Sequence, residues 1–264
     1  MATRAARPPS TLTAYVLHRY DWSETSLILD LFTREQGRLA VAAKGAKRPY
    51  SQLRSVLLPF QRVQVGLGRP PKPGPGGSEE STSEVQTLRS AEWAGGLPML
   101  TGAALFSGFY LNELLMKLTA RQDPHPALFD AYAQTLPALA DDDDAQVQSA
   151  LRAFEVTLLS QVGVLPDLSL VTLTQEDVRE DLAYALRPEA GVVAPRAGEA
   201  SIAGSALIGL QAALAHGSVP ALRQACAPVL PELKTMLRAL LHYHLGSPML
   251  RTRQVMLDVQ SLER

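Results

Sequence analysis

Five strand-like runs crowd the start of the chain: Thr13–His18 (TAYVLH), Ser26–Thr33 (SLILDLFT), Gly37–Lys44 (GRLAVAAK), Arg62–Gly68 (RVQVGLG) and Glu84–Ser90 (EVQTLRS). Each is rich in strand-forming residues, and several alternate apolar with polar positions, as half-buried strands do. A parallel sheet would need a crossover of a dozen or more residues, usually helical, between neighbouring strands. The connections here are too short or too polar for that. The spacing therefore predicts a small closed or partly open barrel.

The run Gly68–Ser83 (GRPPKPGPGGSEESTS) separates the fourth and fifth strands. It cannot bury apolar surface, and its composition predicts a mobile loop within the barrel; a domain linker would have the same composition. From about Ala91 the periodicity turns helical. Helices are expected over Ala103–Leu118, Pro126–Leu139, Asp144–Val162, Ser205–Leu214 and Pro231–Leu245, the last closed by Gly246. Pro166–Gly204, with scattered Pro and Gly, reads as an irregular insertion. The expected division is residues 1–90 for the barrel, with the loop at 68–83, and 91–264 for a helical domain. The fold class is α+β.

Charge is divided unevenly. The formal net charge is -1. Met1–Lys72 holds twelve Lys/Arg against four Asp/Glu, and Pro73–Arg264 holds thirteen against twenty-two. A basic first part and an acidic remainder point to a barrel that meets a polyanion. With Cys226 as the single cysteine, an internal disulfide and a thiolate-rich metal cluster are both ruled out. The reducing cytoplasm is the expected compartment. The start of the chain does not read as a secretory signal, because Pro8, Pro9 and Ser10 stand where an apolar core belongs. No apolar run is long enough to span a bilayer.

The sequence contains no phosphate-binding loop, dinucleotide fingerprint, HExxH or GxSxG motif, so no enzyme activity is expected. Asp141–Asp144 is read as a solvated helix start, where the dipole favours anions, ahead of a nuclease metal site. The sharpest feature is Lys44-Gly45-Ala46-Lys47-Arg48-Pro49-Tyr50-Ser51 with Arg54 behind it. Small residues between cations let a backbone approach phosphates, and Tyr50 is placed to stack on a base. Arg34 and Arg38 flank the preceding turn and extend the patch. An ordinary solvated loop would carry similar residues.

Taken in order, these blocks resemble the RecO family. Ala14–Leu17, Tyr20–Thr25 and Leu31–Leu39 are similar to its opening, and Ala43–Arg48 to its AKGAR signature. Tyr110–Leu114, Asp123–Phe129 and Leu245–Arg253 are similar to its helical part. The resemblance implies an N-terminal OB-fold followed by a helical domain. It implies binding of single- and double-stranded DNA, strand annealing, and loading of RecA together with RecR. It also implies binding of the C-terminal tail of single-strand-binding protein, in a bacterial, nucleoid-associated setting.

Arg34, Arg38, Lys44, Lys47, Arg48, Tyr50 and Arg54 would then lie along DNA. Arg121 and Arg152 are the expected partners of an acidic protein tail. Many family members hold zinc where this chain has Leu170–Thr174 and Ala194–Ala197, without Cys or His between Pro166 and Gly204. No cofactor or metal is expected. Leu170, Val171, Leu173, Val192 and Val193 are expected to pack together there, with Ala194 and Ala197 filling the space of thiols. The rival to DNA binding is a structural adaptor with an OB-like module and a helical protein-interaction domain.

Overall fold

A computed structural model describes residues 11–68, 85–95, 99–246 and 250–262. The loop expected at 68–83 lies outside the described residues but for Gly68. The chain forms two compact units, Met1–Met99 with Ala120–Pro126, and Leu100–Thr119 with Ala127–Arg264.

The first unit is a closed five-stranded barrel of β1 (Thr11–Asp21), β2 (Leu27–Thr33), β3 (Gly37–Ala43), β4 (Arg62–Leu67) and β5 (Val85–Trp93). The strand order is β1-β2-β3-β5-β4, with β4 returning to β1. All pairs are antiparallel except β3 with β5. A short helix, α1 (Leu53–Val56), lies between β3 and β4. This is the OB-fold architecture. Alternation explains the core: Leu27, Leu29 and Leu31 of β2 face Leu39, Val41 and Ala43 of β3 in one interior cluster.

A bulge in β1 interrupts its alternation. Val16 pairs with Leu31, but His18 pairs with Asp30, so Leu17 is an extra residue. The slip moves His18 and Tyr20 to the outer face beside Asp30 and Ile28. There the His18 and Tyr20 rings meet edge to face at 4.4 Å. Asp30 is buried on this face and lies 3.9 Å from the guanidinium of Arg121.

Arg121 is thus a member of the barrel unit. The segment after the first long helix returns to the barrel, where Arg121 bridges to Arg38 and the Gln122 N–H donates to the Arg38 carbonyl at 2.9 Å. This occupies the edge of β3 ahead of its pairing with β5, which runs from Ala40 to Ala42. Gly37 makes the approach possible. Its φ is +66°, and a Cβ there would stand 2.0 Å from the Asp123 carbonyl oxygen.

The second unit contains α2 (Gly102–Leu118), α3 (Pro126–Ala138), α4 (Asp144–Gln161), α5 (Gly204–His216), α6 (Val219–Cys226), α7 (Leu230–Leu245) and α8 (Arg251–Leu262). Asp143 caps α4 by accepting from the Ala145 N–H at 2.9 Å, which gives the acidic run a structural role at its end. Gly246, with φ +61°, closes α7. The sequence pattern did not anticipate α6 and α8. In α6, Pro220 and the caps dominate a short segment; in α8, polar residues obscure the period.

Arg152 does not stand at the surface as expected. It is 7% exposed, and its guanidinium sits 2.8 Å from the fully buried Glu155 carboxylate. Tyr110 donates its hydroxyl to the same carboxylate at 2.6 Å. Burial raises the Glu155 pKa, partly opposed by Arg152 and the Tyr110 hydrogen bond. The i, i+3 spacing on α4 makes the pair local, and the helix turns both groups inward. Cys226 is buried and its thiol is pushed up to about 12, mainly by desolvation, so it is an inert packing residue.

The insertion is also more regular than its sequence predicts. β6 (Ala183–Arg187) pairs with β7 (Gly191–Val193) and with β8 (Ile202–Ala203). Val192 and Val193 are buried, but Leu173 is 75% exposed, and Ala194 and Ala197 are exposed too. Ala194 and Ala197 therefore do not fill thiol positions in a packed centre. Buried Tyr184, Leu186, Val192, Val193 and Ile202 supply apolar packing, and hydrogen bonds and charge join them. The Thr172 N–H donates to the Val192 carbonyl at 3.0 Å, and the Val192 N–H donates to the Thr172 hydroxyl at 2.9 Å. Arg187 grips Glu199 with Nε at 2.8 Å and Nη2 at 2.6 Å, and the Arg196 N–H donates to the same carboxylate. The Arg187 fork and that N–H lower the Glu199 pKa to about 2. Among the described residues no cluster of His, Cys, Asp and Glu is placed to hold a metal.

Helix α8 is tied to α2 by a single carboxylate. Glu113 accepts from the Arg251 N–H and Thr252 N–H, both at 2.9 Å, and from the Thr252 hydroxyl at 2.7 Å. Lys117 lies 3.2 Å away. Burial would raise the Glu113 pKa, but the Thr252, Arg251 and Lys117 hydrogen bonds outweigh it and hold it below the ordinary 4.5. A depressed carboxylate stabilises the fold above its unfolded pKa, and that contribution is lost as pH falls through the folded value.

Two outcomes are expected. Replacing Gly37 with Ala should cost at least about 1–2 kcal/mol from the left-handed backbone alone, and should speed tryptic cleavage at Arg121 as Asp123 is displaced. In hydrogen exchange, Glu113→Ala should accelerate the α8 amides by about tenfold, the loss of a charged cap worth roughly 1–2 kcal/mol. The unmodified protein should show the same local loosening as pH falls through the lowered pKa of Glu113.

Candidate nucleic-acid interface

The basic loop after β3 is built into the barrel at its centre. Ala46 is fully buried in the interior cluster, between exposed Lys44 and exposed Arg48. The Ala46 N–H donates to the Ala43 carbonyl at 3.4 Å, the Arg48 N–H to Gly45 at 3.1 Å, and the Ser51 N–H to Arg48 at 3.0 Å. Successive turns thus fold the loop on itself. Gly45 has φ +74°, a conformation that a side chain would strain. The small residues of this motif serve packing and turning, and their placement turns the neighbouring cations outward.

Lys47 faces the other way. Its N–H donates to the Thr25 carbonyl at 3.0 Å, and its ammonium reaches the Ser23 carbonyl and the Asp21 carboxylate, both at 3.1 Å. These contacts pin the loop to the β1–β2 turn. The turn is itself braced: the Trp22 and Ser23 N–H groups donate to the Ser26 carbonyl, and the Ser26 N–H to the Ser23 hydroxyl at 3.1 Å. Lys47 was expected along the phosphates; in the structure it anchors the loop that carries its neighbours.

The other expected residues divide in the same way. Arg34, Lys44, Arg48 and Arg54 are exposed, and Tyr50 is 99% exposed. Arg38 is half-buried on the outer face, with its Nε enclosed. Desolvation lowers its pKa, opposed by Asp30, so its charge answers a buried carboxylate. Arg121 shares that carboxylate, and Arg152 is enclosed in the helical unit. The structure therefore ties the loop to the β1–β2 turn through Lys47, gathers Arg38 and Arg121 around Asp30, and encloses Arg152 within the helical unit.

Sequence reasoning missed the aromatic residues of the turn. Trp22 is 59% exposed and Tyr20 45% exposed. Burial, then the charge and hydrogen bond of Asp30, raise the Tyr20 phenol pKa. The available signal was the unbroken polar-aromatic run Tyr20-Asp21-Trp22-Ser23, whose exposure depends on the bulge in β1.

Family comparison covers the same two units. Residues 9–72 match the model "Recombination protein O N terminal", and residues 99–254 match "Recombination protein O C terminal". The chain is 49% identical over 251 residues to the DNA repair protein RecO of Polaromonas sp. (strain JS666 / ATCC BAA-500), covering 94% of this chain and 96% of that one. It is 48% identical over 267 residues to the DNA repair protein RecO of Variovorax paradoxus (strain S110), covering 98% and 99%. An OB-fold barrel, a helical unit and these relationships together place the chain in the RecO family of DNA repair and recombination proteins.

Proposed function

We propose that this chain is a non-enzymatic recombination mediator that binds single- and double-stranded DNA through its barrel and anneals complementary strands. In this reading it acts with RecR to help load RecA onto DNA coated by single-strand-binding protein. The observation that carries it is the Lys44–Ser51 loop. Its buried Ala46 and anchored Lys47 fix a rigid base from which Lys44, Arg48 and Tyr50 project into solvent. Cations on a fixed loop bind a phosphate backbone with little ordering cost, and such contacts carry little base information. The setting is the bacterial cytoplasm at the nucleoid. No helix among the described residues is long and apolar enough to cross a membrane.

The helical unit is the proposed seat of the single-strand-binding protein tail. Lys234 and Arg238 of α7 are exposed and feel the Glu155 charge, which makes them better surface cations than enclosed Arg152. Calorimetry of the full chain with a tail peptide should show binding that Lys234→Ala with Arg238→Ala weakens about tenfold, on the scale of charge-assisted contacts. Binding unchanged in that variant would remove α7 from the site.

The DNA reading has its own test. Neutralising Lys44 and Arg48 together should reduce the slope of log K against log salt by about 1.4 for single strands, or roughly 0.7 per phosphate contact. Annealing of complementary strands coated with single-strand-binding protein should slow in parallel. A folded double variant with an unchanged slope would place the DNA elsewhere. A parent chain whose binding is insensitive to salt would favour the adaptor.

A further inference from the structure

The β1–β2 turn holds an indole in water, on a hydrogen-bonded support. Trp22 is 59% exposed, although an aromatic ring of this size ordinarily buries most of its surface. A lone exposed aromatic needs no explanation. Trp22 has two features that a chance surface ring lacks. Its backbone is fixed by the hydrogen bonds to Ser26, and the turn is clamped through Asp21, Ser23 and Thr25 to Lys47 of the basic loop. The backbone that carries the ring is therefore held next to a cation-bearing segment, which lowers the cost of ordering the turn on binding. In OB-folds the loop joining the first two strands borders the oligonucleotide-binding face.

We propose that Trp22 is a base-stacking platform that lets the barrel select unpaired bases over duplex. This rests on the barrel being the DNA-binding unit, as proposed above. Phosphates present the same chemistry in single and double strands, so Lys44 and Arg48 draw in either form. Base faces are open to an indole only where the strand is unpaired, since a duplex stacks them against each other. Stacking is tolerant of sequence because every base has a π face. Lys47 is a positioning residue in this scheme: its ammonium holds the turn, and the phosphates are left to its neighbours.

The chain has two tryptophans, Trp22 and Trp93, which makes the test direct. Trp93, on β5, is exposed and donates its indole N–H to the Gln61 side chain, so Trp93→Phe leaves Trp22 as the sole tryptophan, read by excitation at the red edge where tyrosine does not absorb. In that full-length parent, oligo-dT should quench the emission as it saturates the protein, with saturation followed independently by anisotropy of a labelled oligonucleotide. Adding Trp22→Ala should weaken oligo-dT binding about five- to a hundred-fold, the scale of one lost base stack. Duplex affinity and the salt slope should stay within about twofold. Trp22→Phe should recover most of the loss. Unquenched emission at saturation would overturn the proposal, as would equal losses for single strand and duplex or no loss at all. A parent that binds neither form would instead overturn the underlying DNA reading.

Discussion

Closure of the barrel is the constraint on which the first unit depends. β1 pairs with both β2 and β4, and β5 completes the circle by lying parallel to β3 and antiparallel to β4. A closed sheet has one interior, and its alternation must place apolar side chains there on every strand. Ala46 extends that interior beyond the strands, because the loop after β3 drops one methyl into it. The outward placement of Lys44 and Arg48 follows from where that methyl goes. The charged surface is thus set by core packing, with electrostatics deciding what it attracts.

Buried charge organises the helical unit differently. Arg152 and Glu155 pair on one face of α4 and Tyr110 donates to the same Glu155 oxygen, while Arg152 Nε and Glu155 Oε2 are left buried without a hydrogen-bond partner. Removing one partner of such a pair costs about 3–5 kcal/mol, because the other is left uncompensated. A residue that looks like a surface contact in sequence can therefore be a fixture of the core. Glu113 illustrates a milder form: one carboxylate satisfies the free N–H groups at the start of α8 and replaces a local cap.

Much of the barrel was legible in the sequence. All five strands fall where alternation places them: β1 runs on at both ends and β5 at its second, because pairing continues past the apolar positions, while β2, β3 and β4 each stop or start one residue inside the expected run. The long helices were equally plain. The bulge in β1 was not legible, since Leu17 looks like any other apolar strand residue, and Tyr20 and Trp22 were missed with it. Arg38 and Lys47 take their roles from partners that only the fold brings near, and Arg152 from a local pair that the helix turns inward, which charge counting cannot supply. The insertion hid its order for a similar reason: Arg187 and Glu199 are twelve residues apart and meet across the small sheet.

The edge of β3 has one more consequence, for the order in which the protein is made. Arg121 and Gln122 bond to Arg38, and Arg121 answers the buried Asp30, yet both follow α2 in the chain. Domains generally fold as units while synthesis proceeds from the N-terminus. Here the first unit is not complete when β5 leaves the ribosome; it has to wait for a helix that belongs to the second. Until then Asp30 has Arg38 but not Arg121, and the start of β3 offers bare backbone to any neighbouring strand. The two units are distinct as compact bodies, but in time they are interleaved.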